Sequence, residues 1–404
     1  MNLKALIKSL LLRKFTTALL VLQLAITLGL LVNSGILALD TRDKLAKSTG
    51  LDDQNVVVVS SHPTSGQYKD LNYYRSIARE DMSKLSQIPG VKAVSITNQL
   101  PMTRRGMLGN VYDRDNPERH QQDAKLKNVP IVLTTPSYLE AMSLELVSGR
   151  FLNDSDERDA DNPQPDNVVI TESLQKALFG DESAVGKALN QGRVVGVVKD
   201  FMVNPTLPDD QQFAVLNNNI MEYIFIGRHY VMHVEPGQVE SVKQEAPNVV
   251  LDVQPERDIF ETFTLAERLE DFYSSDQGLA DLFLVLCDLM IFVTIISSYA
   301  YSQFHISRQQ KFIGIRRALG AKKKDILLYV LTENWLVYLL GVMFGIAIAL
   351  GFNVALSQHL VLSKPTIDIF LLAIGVLFLS GTAATLFPAY KTSRISPIVA
   401  TKTV

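Results

Sequence analysis

The segment from Gly180 to Lys187 has the residue types of a phosphate-binding loop, two glycines followed by a lysine. Such a loop needs four residues between the glycines and a Ser or Thr after the lysine, because the backbone amides, the ammonium group and the hydroxyl bind phosphate and Mg²⁺. Here five residues separate Gly180 from Gly186, and Ala188 follows the lysine. We therefore predict a turn here and no catalytic or cofactor-binding residues in the chain.

Metal chemistry has little support in this sequence. Cys287 is the single cysteine, and the six histidines show neither HxxxH nor HExxH spacing. Residues 153–166 contain six acidic side chains. They lack the glycine and the final glutamate of an EF-hand loop, so we predict a solvated loop and no metal site.

The most informative stretch covers residues 307–325, with the sequence SRQQKFIGIRRALGAKKKD. Basic and apolar side chains alternate in it at helical spacing, which predicts an amphipathic element along the inner membrane surface. Two roles use the same features: contact with anionic lipid, and docking of a cytoplasmic partner. The candidate docking residues are Arg308, Lys311, Phe312, Gly314, Ile315, Arg316, Arg317, Ala318, Gly320, Ala321 and Asp325.

Two acidic residues fall within or beside apolar runs. The carboxylate of Asp288 costs free energy inside a membrane unless it is paired or hydrated. Asp288 therefore marks either a functional site or a packing contact. For Glu333 we expect an ion pair with the basic stretch. A set of glycines permits close helix approach, with Gly341 and Gly345 as a packing face. Its other members are Gly351, Gly375 and Gly381.

Four apolar runs are long enough to cross a bilayer as helices, which requires about 20 residues each. They cover residues 15–39, 279–301, 326–350 and 369–389. The first run is too long for the apolar core of a signal peptide, and Ile36 is a bulky residue at the −3 position of the nearest cleavage pattern. An uncleaved membrane anchor is therefore predicted.

Basic residues set the orientation of the spans, because Lys and Arg concentrate in cytoplasmic segments. They are frequent in residues 1–14, 302–325 and 390–404, and sparse in the short loop 351–368. With four spans, the three basic segments all lie in the cytoplasm. Residues 40–277 then form a domain outside the cytoplasm, which is the periplasm in a Gram-negative cell. The predicted location is the bacterial inner membrane.

Residues 40–277 are polar enough to form a folded α+β domain. Strands are predicted at 56–59, 91–97, 130–133, 167–171, 193–199, 222–226, 230–234 and 249–253. Helices are predicted at 70–87, 137–146 and 172–179. Residues 40–47 and 262–274 are predicted to be helical stalks that continue the first span and precede the second, since no Gly or Pro interrupts 262–274. A net charge of −3 gives no sign of nucleic-acid binding.

The basic stretch resembles the signature of the FtsX-like permease family. The match is carried by Arg308, by the run from Gly314 to Ala321, by Asp325 and by Glu333. The segments Pro388-Ala389-Tyr390 and Ser393-Arg394-Ile395-Ser396-Pro397-Ile398 are similar to the end of that family. Phe312 departs from the pattern, because the family usually has Glu there. This difference puts an ionic role of that position in doubt.

The outer domain resembles the periplasmic core domain of MacB-like transporters. Three groups of residues carry this resemblance. They are residues 138–151, which end in Ser-Gly-Arg-Phe, residues 168–173 (Val-Val-Ile-Thr-Glu-Ser) with 178–180, and residues 185–187 with 194–200, which end in Val-Gly-Val-Val-Lys-Asp. The two resemblances together cover nearly the whole chain in the expected order.

The resemblance implies a noncatalytic permease subunit of an ATP-binding-cassette system. It implies a separate cytoplasmic ATPase dimer, which binds the ATP and Mg²⁺, and a second permease chain, identical or different. A periplasmic adaptor protein and an outer-membrane channel are further partners of such systems. Membrane lipids are implied as well.

Two functions of different classes fit the resemblance. In the first, the chain couples ATP hydrolysis to export of a peptide, a drug-like compound or a lipoprotein. In the second, it is an FtsX-like transmitter that controls a periplasmic partner and transports nothing. The MacB-like segments favour the first function. The sequence leaves the substrate and the role of Asp288 open.

Overall fold

The computed structural model describes residues 14–103, 106–120, 123–157, 166–222, 228–358 and 363–393. Segments 1–14 and 390–404, the strand predicted at 222–226, and parts of the loops 153–166 and 351–368 therefore fall wholly or partly outside the described residues. The described part contains two compact units. We call residues 14–46 and 273–393 the membrane unit, and residues 47–272 the α/β unit.

Long apolar helices build the membrane unit, and within the described residues four of them are long and apolar enough to cross a bilayer. The prediction of four spans and an α+β domain is confirmed. The helices have the following bounds: α1 Lys14–Ala46, α7 Leu265–Ala318, α8 Lys323–Leu356 and α9 Ile367–Ser393.

The remaining helices belong to the α/β unit. They are α2 Leu71–Leu85, α3 Pro117–His120, α4 Tyr138–Ala141, α5 Glu172–Phe179 and α6 Val239–Val253. Short 3₁₀ turns cover Gly66–Lys69, Ala124–Leu126, Asp154–Asp156, Asp209–Gln211 and Ile220–Glu222.

Strands alternate with these helices. They are β1 Val56–Pro63, β2 Val91–Thr97, β3 Leu108–Gly109, β4 Val129–Leu133, β5 Leu146–Gly149, β6 Asn167–Thr171, β7 Ala188–Leu189, β8 Gly192–Val198, β9 Val215–Asn217, β10 Arg228–Val234 and β11 Arg257–Thr264.

Two sheets organise the described strands. One is antiparallel, with the order β11-β1-β10-β2. The other is mixed, with the order β3-β4-β9-β6-β8-β5, and β7 pairs with β8 at its side. In the mixed sheet, β4–β9 and β6–β8 are parallel pairs, whereas β6–β9 is antiparallel. Side chains from both sheets share one apolar core, which includes Val57, Ile96, Ile131, Val168 and Val242.

The strand predicted at 249–253 is wrong. These residues form the last turns of α6, because Val242, Ala246 and Val250 recur every four residues and bury one helix face. A short apolar run does not distinguish a strand from a buried helix when it is considered without its neighbours.

The helix predicted at 137–146 is shorter than expected. It ends at Ala141, because Ser143 adopts a positive φ of 53° and the chain then enters β5. The stalk predicted from residue 262 also begins later, at Leu265. Thr262, Phe263 and Thr264 belong to β11 and pair with Val59, Val58 and Val57 of β1.

The acidic segment 153–166 is not solvated along its whole described length. Asp156 is buried and accepts two hydrogen bonds from Arg150, at 2.5 and 2.8 Å. Burial acts to raise the pKa of Asp156, but hydrogen bonds from Arg150, the backbone of Asn153 and the side chain of Asn167 outweigh it and lower that pKa. This carboxylate therefore fixes the local fold.

Candidate coupling site

Most of the candidate docking residues lie on the final turns of helix α7, whereas Gly320 and Ala321 follow its end and Asp325 lies in the first turn of α8. Within the membrane unit, α7 covers residues 273–318, which corresponds to about 70 Å at 1.5 Å per residue. That length exceeds the thickness of a bilayer. The basic stretch is therefore the continuation of the second span rather than a separate element along the membrane surface, which corrects the sequence prediction. The chain has no Gly or Pro between Tyr301 and Ile313 that could break the helix.

The first turn of α7 is fixed within the α/β unit. The N–H of Ala266 donates to the carbonyl of Asp53 at 3.1 Å. The carboxylate of Glu267 accepts from the N–H of Thr264 at 2.8 Å and pairs with Lys243 at 2.6 Å. Burial acts to raise the pKa of Glu267, but these hydrogen bonds outweigh it and lower the pKa.

The end of α7 presents an apolar and basic surface. Phe312, Ile315 and Leu319 are exposed by 51%, 48% and 83%, and they recur at helical spacing on one side of the helix. We call these three residues, with the exposed Arg308 and Arg316, the coupling surface. The side chains of Lys311 and Arg317 lie outside the described part of the structure.

Arg316 links the end of α7 to the next helix. Its guanidinium lies 5.0 Å from the ring centroid of Phe312 and 4.8 Å from that of Tyr329 in α8. Arg308 lies 4.5 Å from the ring centroid of Phe304. Such cation–π contacts order long basic side chains that would otherwise be mobile.

A tight corner joins α7 to α8. Gly320 adopts a φ of +97°, a conformation that ends helices and that glycine adopts without strain. The N–H of Ala321 donates to the carbonyl of Arg316 at 3.0 Å. Asp325 accepts from the N–H of Lys322 at 2.9 Å and caps α8. Ala318 is exposed and Gly314 is buried, so only part of the predicted set faces solvent.

The spacing of residues in the sequence does not indicate the partner of Glu333. This residue is buried in α8, and its carboxylate contacts the imidazole Nε2 of His305 in α7, one turn before Arg308. Ser302 and Asn334 are buried in the same helices. Motif spacing gave no signal for His305. The only indication was its position near the cytoplasmic end of a predicted span.

Asp288 lies on the exposed side of α7, whereas its neighbour Cys287 is buried. The Sγ of Cys287 lies 3.1 Å from the Oγ of Ser34 in α1. Val285, Leu289 and Phe292 are also exposed by 38% or more. The carboxylate therefore belongs to the outer face of the membrane unit and not to its interior.

The predicted glycine face exists. A Cβ on Gly341 would lie 2.6 Å from Leu24 Cβ, and one on Gly345 would lie 2.8 Å from Leu28 Cδ2, so both glycines permit α8 to approach α1. A Cβ on Gly381 would overlap the hydroxyl of Tyr338. Nothing lies within 4 Å of such an atom on Gly351 or Gly375.

Models of known protein families match two successive parts of the chain. The family model for the MacB-like periplasmic core domain matches residues 17–261, more than half of the chain. The model for the FtsX-like permease C-terminal matches residues 285–397, which include the coupling surface. The chain belongs to the family of MacB-like and FtsX-like permeases.

Curated members of this MacB-like family align with most of the chain. The macrolide export ATP-binding/permease protein MacB of Bdellovibrio bacteriovorus is 26% identical, and the alignment covers 94% of this chain and 58% of that protein. The protein of the same name from Chromobacterium violaceum is 26% identical, with coverages of 76% and 49%. The chain thus spans about half the length of these relatives.

Two solved structures are also similar to part of the chain. The periplasmic region of MacB from Actinobacillus actinomycetemcomitans matches 56% of this chain and 94% of its own chain, with 17% identity and a TM-score of 0.36. The extracellular domain of the noncanonic ABC-type transporter YknZ from Gram-positive bacteria matches 51% of this chain and 100% of its own chain, with 17% identity and a TM-score of 0.32.

Proposed function

We propose that the chain is the transmembrane subunit of an ATP-binding-cassette exporter, driven by a separate cytoplasmic ATPase dimer. The observation that carries this proposal is the construction of α7. Its first turn is held by Asp53, Lys243 and Thr264. Its last turns present three exposed apolar side chains among basic ones. In this proposal, α7 carries the movement of the ATPase outward.

The ATPase docks on the coupling surface, which lies in the cytoplasm together with both termini. The excess of Lys and Arg in residues 302–325 over the short loop 351–368 supports this orientation in the inner membrane. Phe312, Ile315 and Leu319 supply apolar contact area, and the arginines orient an acidic partner surface. At position 312 the family usually has Glu, whereas Phe312 of this chain supplies an apolar contact.

A second permease chain covers the outer face of α7. The support is Asp288, because an exposed carboxylate within a span is costly against lipid and is stabilised by a polar or charged partner in protein. Val285 and Phe292 flank it and supply apolar contact to the same neighbour. Because the similar proteins are named macrolide exporters, we propose a macrolide-type compound as the substrate. An adaptor protein assists its outward passage.

Affinity purification of the full chain from its native membranes tests the proposal. We expect an ATP-binding-cassette ATPase to co-purify, and its ATP hydrolysis to change when the pair is reconstituted with macrolides. Replacing Arg316 with Glu should weaken recovery of the ATPase about tenfold or more, because a charge opposed to the partner is introduced. Lys364→Glu, the same charge reversal in the short loop 351–368, is the control and should recover normal amounts. An intact complex with the Arg316 variant would refute docking at this surface.

A further inference from the structure

A cavity of about 410 Å³ opens in the α/β unit between three loops, and the coupling role of the chain does not use it. The loops follow β2, precede β4 and connect β8 to β9. Its walls include Leu100, Val132, Tyr138, Phe201 and Phe213, all buried side chains of the domain core. The volume falls in the range of about 300–1,000 Å³ that is typical of small-molecule sites.

The charged side chains that line this cavity are both basic. Lys125 and Lys127 line it and are exposed, and the side chains that line it include no Asp or Glu. Neither lysine forms an ion pair with another described residue. Burial raises the pKa of Tyr138, so the phenol stays neutral and adds no negative charge to the wall. The walls combine apolar side chains with neutral polar ones such as Gln99 and Asn128, and two lysines are exposed at the edge. Such a cavity favours a molecule with an apolar body and an anionic group.

The loops that form the cavity are held in place before any ligand binds. The buried side chain of Gln212 accepts from the N–H groups of Val203 and Asn204 at 2.9 and 3.0 Å, and donates to the carbonyl of Leu207 at 3.0 Å. The N–H of Met102 donates to the carbonyl of Val203 at 2.9 Å, which ties two of the loops together. A site formed in advance loses less conformational entropy when it binds a ligand.

We propose that this cavity binds one amphipathic monocarboxylate of the fatty-acid class, with its apolar chain against Leu100, Tyr138 and Phe213 and its carboxylate between Lys125 and Lys127. The size of the cavity and the single patch of positive charge fit one such molecule better than a folded partner or a polar peptide. The inference goes beyond the proposed function, because binding requires neither the ATPase nor a second permease.

Photoaffinity labelling of the full chain in lipid nanodiscs, without any ATPase, tests the site. The probe is a dodecanoate analogue that carries a diazirine on its chain, and the labelled peptides are identified by mass spectrometry. We expect labelling within residues 99–103, 124–138 and 201–213. Excess dodecanoate should suppress it, whereas dodecylammonium and dodecanol should not. Equal competition by dodecylammonium would overturn the assignment of an anionic ligand.

Two variants test separately the charge of the two lysines and the free volume of the cavity. Lys125→Glu combined with Lys127→Glu should reduce labelling of these peptides by about fivefold or more, because two attractive charges become repulsive. Leu108→Trp keeps both lysines and places a larger side chain at the mouth, where Leu108 is 45% exposed, so labelling should also fall. The pair Lys69→Glu and Lys92→Glu makes the same change of net charge at exposed positions outside the cavity and should leave labelling unchanged. Normal labelling in both test variants would disprove the site.

Discussion

The carboxylate of Glu333 in α8 contacts the imidazole of His305 in α7, and both side chains are buried within the membrane unit. The pair lies close to the coupling surface along both helices, because Arg308 follows His305 by three residues and Tyr329 precedes Glu333 by four. It therefore holds the basic end of α7 against α8. Arg316 strengthens the same junction by its contact with the ring of Tyr329.

Replacing Glu333 with Ala should destabilise the membrane unit by about 1–3 kcal/mol, because the buried imidazole of His305 then loses its polar partner. The measurement is the thermal unfolding midpoint of the full chain in detergent. Asp368→Ala, which removes an exposed carboxylate at the start of α9, should change stability by less than about 0.5 kcal/mol. A Glu333 variant as stable as this control would show that the pair does not hold the two helices together.

The packing of α1 against α8 depends on glycine. Gly345→Ala should lower stability by about 1–3 kcal/mol, since the new Cβ would lie 2.8 Å from Leu28 Cδ2 and 3.2 Å from the backbone Cα of Ala25. Gly351→Ala on the same helix meets nothing within 4 Å and should leave stability unchanged or raise it slightly. The same unfolding assay compares the two, and equal midpoints would contradict close packing at Gly345.

The spans and the glycine face could be predicted from the sequence because both depend on local composition. The length of an apolar run determines whether it spans, and Gly341 and Gly345 lie one helical turn apart. The strand prediction for residues 249–253 is wrong because four apolar residues around Asp252 fit a strand as well as a helix, and only Val242 and Ala246 complete the helical period. The pair of His305 with Glu333 depends on how two helices pack, which a single sequence does not encode as a spacing.

A buried ion pair stabilises the antiparallel sheet of the α/β unit. Arg257 donates to both carboxylate oxygens of Asp81, at 2.6 and 2.7 Å, and Tyr230 also donates to Asp81. Arg228 lies nearby, with Nη1 at 4.0 Å from Asp81 Oδ2. All four side chains are buried, so one carboxylate is shared by two guanidinium groups inside the core.

Asp81→Asn should therefore destabilise the α/β unit by about 3–5 kcal/mol, because two buried cations lose their counter-ion. Hydrogen exchange of the full chain should show faster exchange in peptides of α2 and β11. Asp252→Asn, the same change at an exposed position of α6, is the control and should leave these rates unaltered. Exchange in the Asp81 variant as slow as in the unchanged chain would mean that the contacts of Asp81 with Arg257, Arg228 and Tyr230 contribute little to stability.

His229 makes the stability of the α/β unit depend on pH. Burial, with a smaller effect from Arg268, lowers its pKa from 6.5 to about 4, and its Nδ1 lies 2.8 Å from the Oγ of Ser60. Below pH 6.5 the imidazole of His229 becomes protonated in the unfolded chain, whereas in the folded chain it becomes protonated only near pH 4. Stability is complete above pH 6.5 and falls as the pH drops to 4, by up to about 3 kcal/mol.

Urea unfolding of the full chain, followed by the near-ultraviolet dichroism of tyrosine, measures this slope between pH 7 and pH 4. His229→Gln should flatten it, because the side chain no longer titrates. His62→Gln, at a partly exposed position of β1, should leave the slope in place. An unchanged slope in the His229 variant would assign the pH dependence to other groups.

The most direct test of the central claim is photo-crosslinking from the coupling surface in living cells. A photoreactive phenylalanine analogue replaces Leu319, which is 83% exposed, or in the control Ile367, which is 78% exposed at the start of α9. We predict that the chain labelled at position 319 forms an adduct with an ATP-binding-cassette ATPase and that the chain labelled at position 367 does not. Absence of the adduct at 319, or equal adducts at both positions, would contradict docking of an ATPase at the end of α7.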